Sequence, residues 1–215
     1  MKAFLQKNIY YFVTIIFFVI IGGIVLLTTT KDQITLWVNA HYNHFFDQFF
    51  KIINWGGEPI FSTVAAIGLW ILKGWRVALK AVVCFLSVVA VTQFMKYIIF
   101  PGTLRPVLYF EEGILRFIEG VTQLETESFP SGHTSASFSL ATFFALYLPK
   151  KDWHWIFAMI AGLVGYGRIY MSQHFITDVY TGMIVGVVVT TLAYYFYPKS
   201  WEKHEKKNQA IYRKA

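Results

Sequence analysis

The sequence predicts an all-α membrane protein: a six-transmembrane-helix bundle with a short interfacial amphipathic helix between the first and second spans. Three observations predict it. Of the 215 residues, 56% are hydrophobic and only 14% charged, where soluble domains carry roughly 25% charge. Six apolar segments recur along the chain. Lysine and arginine gather at alternate ends of those segments. The length suits one domain, placed at residues 1–200, followed by a basic cytoplasmic tail at 201–215.

The apolar segments run near Tyr10–Leu27, Pro59–Leu72, Val77–Phe100, Thr134–Leu148, Trp153–Tyr170 and Val179–Tyr197. A bilayer is crossed by about 20 apolar residues. The first, third, fifth and sixth meet that length, while the second and fourth borrow flanking residues. No small-residue cleavage site follows the first segment, which therefore reads as an anchor and not as a signal peptide. Between the first two spans, "ITLWVNAHYNHFFDQFFKIINW" (Ile34–Trp55) mixes aromatics with His41, His44, Asp47 and Lys51. That pattern reads as one or two amphipathic helices lying in the outer interface, with packing as the ordinary role of the two histidines. The single cysteine, Cys84, has no intrachain partner and carries no redox information.

With the N-terminus inside, 13 of the 19 basic residues fall on the inner side: Lys2, Lys7, Lys73, Arg76, Lys80, Lys150, Lys151, Lys199, Lys203, Lys206, Lys207, Arg213 and Lys214. This bias sets both termini in the cytoplasm. It also assigns the net charge of +7 to membrane topology, so no nucleic-acid partner is expected.

The same topology brings ionisable residues to the outer face, where charge beside a span is costly and usually functional. Lys96 ends the third span, and Pro101-Gly102 turns the chain so that Arg105 comes back toward it. Ser131-Gly132-His133 opens the fourth span. Arg168 closes the fifth, and His174 and Asp178 open the sixth. Each has an ordinary reading alone: a snorkelling cation for Lys96 or Arg168, a helix-terminal polar group for His133, a local hydrogen bond for His174 with Asp178. Together they describe an anion site.

Arginine forks match phosphate oxygens bidentately, and lysine adds a point charge. A helix N-terminus at Ser131 and Gly132 offers free N–H groups and a favourable dipole, and the glycine lets backbone approach closely. His174 and Asp178, four apart, share a helix face. A carboxylate on one imidazole nitrogen fixes the tautomer and leaves the other nitrogen free to attack. His133 is then placed to protonate the departing oxygen. Lys96, Arg105 and Arg168 take the charge-stabilising place that Mg²⁺ often holds in phosphoryl transfer, so neither metal nor other cofactor is expected.

In order along the chain these residues form three motifs: Lys96…Arg105-Pro106, Pro130-Ser131-Gly132-His133 and Gly167-Arg168…His174…Asp178. On them the chain resembles the type 2 phosphatidic acid phosphatase (PAP2) superfamily of membrane lipid phosphatases, relatives of the vanadium haloperoxidases. The resemblance implies that Lys96, Arg105, Ser131, Gly132 and Arg168 bind phosphate. It further implies that His174 becomes a phosphohistidine, Asp178 orients it and His133 is the acid. Two departures stand out: eight residues separate Lys96 from Arg105, more than the family's usual spacing, and Gly167 replaces the usual serine before the arginine.

The function so implied is hydrolysis of a lipid phosphate monoester or diphosphate at the outer leaflet, of the undecaprenyl diphosphate, phosphatidylglycerol phosphate, phosphatidic acid or lipid A type. The setting so implied is a bacterial inner membrane with a periplasmic site. A lipid phosphotransferase with an alcohol or lipid acceptor is the alternative within the family. A lipid or anion transporter is the alternative outside it, though it calls for polar residues deep in several spans. Neither the particular lipid nor the oligomeric state is legible in the sequence.

Overall fold

The computed structural model describes residues 8–149 and 152–198. The orientation signals at Lys2, Lys7, Lys150, Lys151 and the basic tail lie outside the described residues. Among the described residues nine α-helices follow one another: α1 Ile9–Thr28, α2 Lys31–Ala40, α3 His44–Asn54, α4 Pro59–Lys73, α5 Trp75–Phe94, α6 Pro106–Tyr109, α7 Gly132–Tyr147, α8 Trp155–Tyr170 and α9 Ile176–Phe196. A 3₁₀ turn, Trp55–Gly57, joins α3 to α4, and a π turn, Met95–Ile99, continues α5.

Among the described residues three helices are long and apolar enough to cross a membrane: Ile9–Thr28, Trp75–Ile99 and Ile176–Phe196. A fourth candidate arises if His44–Gly57 and Pro59–Lys73, bent by 56°, count as one broken span. The third and sixth expected spans are therefore single long helices. The fifth is a shorter apolar helix, Trp155–Tyr170, and the fourth, α7, has 16 residues. The region expected to be amphipathic is two helices, α2 and α3. Thr30 and Gln33 form a capping box at the start of α2, and the Asn43 side chain accepts from Phe46 N–H to cap α3.

The core sits on α7, which packs against α8, α9 and α5. Its sequence, "GHTSASFSLATFFALY", has no one-sided apolar stripe because it is buried nearly all round; such a helix belongs to an interior. Its hydroxyls are satisfied within the bundle. Ser135 and Thr142 donate to the carbonyls four residues back, and Thr190 of α9 donates to Ser139. Tyr11 of α1 bonds Thr142 at 2.7 Å. In a bilayer, where burial from water no longer drives association, close packing and such bonds hold helices together.

Gly182 and Gly186 set the closest approach. A Cβ on Gly182 would lie 2.7 Å from the Ser131 carbonyl oxygen, and one on Gly186 would lie 2.6 Å from that of Ser135. Backbone cannot yield as a side chain can, so only glycine fits at this four-residue spacing, the small-residue contact common between membrane helices. The resulting register places the start of α9 beside the start of α7. Since α5 and α8 end there and α4, α7 and α9 begin there, their terminal residues form one polar end of the bundle.

Candidate active site

At that end three cations are withdrawn from solvent: Lys96, Arg105 and Arg168, at 8%, 5% and 3% exposure. The π turn carries Lys96, and its wider winding is followed by the turn through Gly102 (φ +71°) that sends the chain back. Lys96 Nζ donates to the Glu127 carbonyl at 2.7 Å. Arg105 Nε donates to the Thr126 carbonyl at 2.8 Å and its Nη2 to that of Glu127 at 3.3 Å. Lys96 and Arg105 are thus joined through one carbonyl. Glu127 adopts a left-handed conformation (φ 57°), sparsely allowed for residues other than glycine. Arg168 Nη1 donates to Asn54 Oδ1 at 2.6 Å, and its Nε has no hydrogen-bond partner among the described residues. A buried donor left open in this way is costly and suits an incoming anion.

His174 is the centre of the arrangement. It lies in the short connection before α9 and is 1% exposed. Its Nδ1 is 3.4 Å from Asp178 Oδ2 and its Nε2 is 3.2 Å from Arg105 Nη1. Asp178 is fixed in turn: its Oδ2 accepts from the Phe175 N–H at 3.0 Å and from Ser128 Oγ at 2.5 Å. Burial pushes the His174 pKa down to about 3; the bond to Asp178 opposes this, and the Arg168 and Arg105 cations reinforce it. The imidazole is therefore neutral at physiological pH.

The Pro-Ser-Gly-His end of α7 carries less of an anion cradle than its sequence suggests. Ser131 is the N-cap, but its N–H donates to the Asp178 carbonyl at 3.0 Å. Its Oγ accepts from Thr134 Oγ1 at 2.9 Å. The N–H groups of Gly132 and His133 fall in the first helical turn and have no intrahelical acceptor, so these two, and not that of Ser131, are the helix donors open to an anion. The His133 ring turns the other way along the cavity: Nε2 meets Glu58 Oε1 at 2.9 Å.

A cavity of about 450 Å³ opens on this face, lined by His133, Arg168, Glu58, Lys51, Trp55 and Gln173 among others. An apolar cavity of about 570 Å³ lies along α7 and α8, lined by Ser137, Leu140, Phe144, Phe157, Ala161 and Val164. Trp55 borders both. On α7, His133 continues the stripe of Ser137 and Phe144, and on α8, Arg168 continues that of Val164, Ala161 and Phe157. The apolar cavity thus runs up to the polar one between the same two helix faces.

The structure gathers Lys96, Arg105, Arg168, His133, His174, Asp178, Ser131 and Gly132 at one end of the bundle. Four contributors were missed in the sequence: Glu58, Asn54, Ser128 and the Thr126–Glu127 carbonyls. The chain just before Pro-Ser-Gly-His enters through those carbonyls, while the Glu127 side chain accepts from Gly102 N–H and its charge favours the Lys96 and Arg105 cations. Only Ser128, adjoining Pro-Ser-Gly-His, and Glu58, an acid directly before Pro59 at the head of an apolar segment, left any trace in the pattern.

Three buried cations around a carboxylate-bound histidine at the polar end of a helical bundle are an arrangement suited to receiving an anion. A model of the PAP2 superfamily matches residues 77–202, more than half of the chain, and the chain belongs to that superfamily. Lipid A 4′-phosphatase of Porphyromonas gingivalis is 40% identical over 74 residues, covering 34% of this chain and 31% of that protein. Undecaprenyl-diphosphatase of Sulfolobus acidocaldarius is 28% identical over 144 residues, 65% of this chain and 64% of that one. The chain thus spans less than two-thirds of either relative. The crystal structure of Aquifex aeolicus LpxE superposes with a TM-score of 0.67 at 22% identity, covering 76% of this chain and 94% of LpxE. A phosphatidylglycerolphosphate phosphatase from Bacillus subtilis gives 0.62 at 23% identity, covering 86% and 94%. These two likenesses concern the fold.

Proposed function

We propose that the protein is an integral-membrane lipid phosphatase. It removes phosphate from a lipid monoester or diphosphate at the outer leaflet, through a phosphohistidine on His174, without a metal ion. The observation that carries this reading is His174 itself, neutral and buried, with a carboxylate on one nitrogen and the Arg105 guanidinium on the other.

The phosphoryl group enters among Lys96, Arg105 and Arg168, drawing Arg105 onto its oxygens and off Nε2, and meets the open N–H groups of Gly132 and His133. Nε2 attacks phosphorus as the bond to the lipid oxygen breaks. That oxygen takes a proton from His133, and Asp178 stabilises the positive charge gained by His174. Water then attacks the phosphohistidine and gives a proton to His133, and inorganic phosphate leaves with His174 restored. The three cations stabilise charge on the equatorial oxygens throughout. The lipid's hydrocarbon lies in the apolar cavity between α7 and α8, entering from the bilayer past Trp55. Relatives named for undecaprenyl diphosphate and lipid A support lipids of that kind as substrates, with phosphatidylglycerol phosphate and phosphatidic acid in the same class. With the termini cytoplasmic, the site faces the periplasm of a bacterial inner membrane.

The test is phosphate release by purified wild type and His174→Ala in detergent with EDTA, across a panel of these lipids. Activity in wild type that falls by about 10³-fold or more in the variant supports the reading, and the preferred lipid names the substrate. Equal activity in both, or activity abolished by EDTA, overturns it.

A further inference from the structure

Glu58 lies outside the family-matched residues 77–202, yet it makes the one side-chain hydrogen bond that His133 has among the described residues. The contact, Oε1 to Nε2 at 2.9 Å, is built into the fold. Glu58 caps the bend between the Trp55–Gly57 turn and α4, where Pro59 opens the helix. The neighbouring Gly57 packs on the backbone of His133: a Cβ there would lie 2.7 Å from His133 Cβ and 2.9 Å from its carbonyl oxygen. Only a residue without a side chain lets the turn close this tightly, and the closure delivers the next residue's carboxylate to the imidazole.

We propose that Glu58 is the positioning residue of the general acid, so that the site holds two histidine–carboxylate pairs, His174 with Asp178 and His133 with Glu58. This rests on the phosphatase reading above. A carboxylate on Nε2 keeps a proton on that nitrogen and leaves Nδ1 as the one that meets the departing oxygen. The charged groups that face His133 are Arg168 from α8, Arg105 from the connection before α6, Lys51 from α3, which lines the same cavity, and Glu58 itself. Burial, and after it the Arg168 and Arg105 cations, oppose a second proton on the ring. Glu58 and the bound phosphate favour it, so His133 becomes imidazolium when substrate arrives. Nδ1 then releases its proton to the lipid oxygen as the P–O bond breaks, and the neutral ring keeps Nε2–H on Glu58. In the hydrolytic half, Nδ1 takes a proton from the attacking water, which returns the imidazolium. Both side chains are partly exposed, which connects the pair to bulk proton exchange.

The test compares kcat/KM, which reports the steps up to leaving-group departure, for a lipid phosphate and for p-nitrophenyl phosphate. The alkoxide of the lipid needs a proton to leave, and nitrophenolate does not. Glu58→Gln is expected to lower kcat/KM for the lipid by about 10²-fold and for the aryl ester by only a few-fold, with Glu58→Asp between. In a His133→Ala background, Glu58→Gln is expected to add nothing. Equal losses on both substrates, or a further loss in the His133→Ala background, overturn the proposal while leaving the phosphatase reading in place. Wild type inactive on both substrates overturns the two together.

Discussion

Arg105 Nη1 lies 3.2 Å from His174 Nε2. A guanidinium has only donors, so Nε2 is the acceptor and the ring proton sits on Nδ1, toward Asp178. The arginine thereby reports the tautomer that attack on phosphorus requires, and it covers the attacking nitrogen until a phosphate draws it away.

This relationship sets a pH dependence. His174 is held to about 3, chiefly by burial, so the attacking form is present at any pH well above that and is lost only as pH falls through it. The pH profile of kcat/KM, which reports the free enzyme, is expected to show no His174 limb between pH about 5 and 7. Stability follows the same sign. The folded value lies below the ordinary 6.5 of an imidazole, so the contribution to folding is full above 6.5 and declines as pH drops toward 3. Burial first, and then the Arg168 cation, lowers the His133 pKa to about 4, so a limb that disappears in His133→Ala belongs to the acid; one between pH about 5 and 7 that persists in that variant contradicts the His174 assignment.

Asp178 acts through charge as well as geometry. Asp178→Asn keeps an acceptor for Phe175 N–H and Ser128 but removes the charge that stabilises His174 as an imidazolium. The expected fall in kcat is on the order of 10³–10⁴. Ser128→Ala deletes the 2.5 Å donor to Asp178 and is expected to cost about 1.5–3 kcal/mol of stability, with a smaller loss of activity. Thermal unfolding in detergent beside turnover separates the two, and a fully active Asp178→Asn enzyme is the contrary result.

The α7–α9 register depends on Gly182. In Gly182→Ala the new Cβ meets the Ser131 carbonyl at 2.7 Å, and the helices must part. The expected cost is about 1–3 kcal/mol, together with lost activity, because Ser131 N–H and the Asp178 carbonyl separate with the helices. An unchanged melting temperature argues against so close a packing.

Filling the apolar cavity discriminates the lipid chain from the phosphate. Ile160 lines it and is 50% exposed, so Ile160→Trp narrows the groove with little strain on the core. KM for a long-chain lipid phosphate is expected to rise several-fold, and kcat/KM for p-nitrophenyl phosphate to stay within about two-fold. Equal effects on both place the chain elsewhere.

How much of this was legible in the sequence follows from what each residue interrupts. Lys96, Arg105, Arg168, His174 and Asp178 stand beside uncharged runs, where an ionisable side chain is conspicuous, and the structure gathers them. Glu58 and Ser128 left only a faint trace, and Asn54, the last residue of α3, left none, because a lone polar residue has no period and its partner is set by tertiary closure. Arg168 bonds the Asn54 amide, a partner that its place in the sequence does not suggest. Carbonyls such as those of Thr126 and Glu127 leave no mark in any sequence. The span pattern was legible where apolar length decides, as in α1, α5 and α9. It was faint for α7, whose buried serines and threonines find partners only in the folded bundle.

In the proposed mechanism His174 carries the phosphoryl group. Rapid acid-free quenching of the enzyme with a ³²P-labelled lipid phosphate, followed by peptide mapping, tests it most directly. The expected product is an acid-labile, alkali-stable phosphohistidine at His174, absent from His174→Ala and accumulating in His133→Ala with an aryl phosphate, where the acid is not needed for the first step but the base is needed for the second. Label on another residue, or turnover in wild type with no labelled protein under any quench, would contradict it.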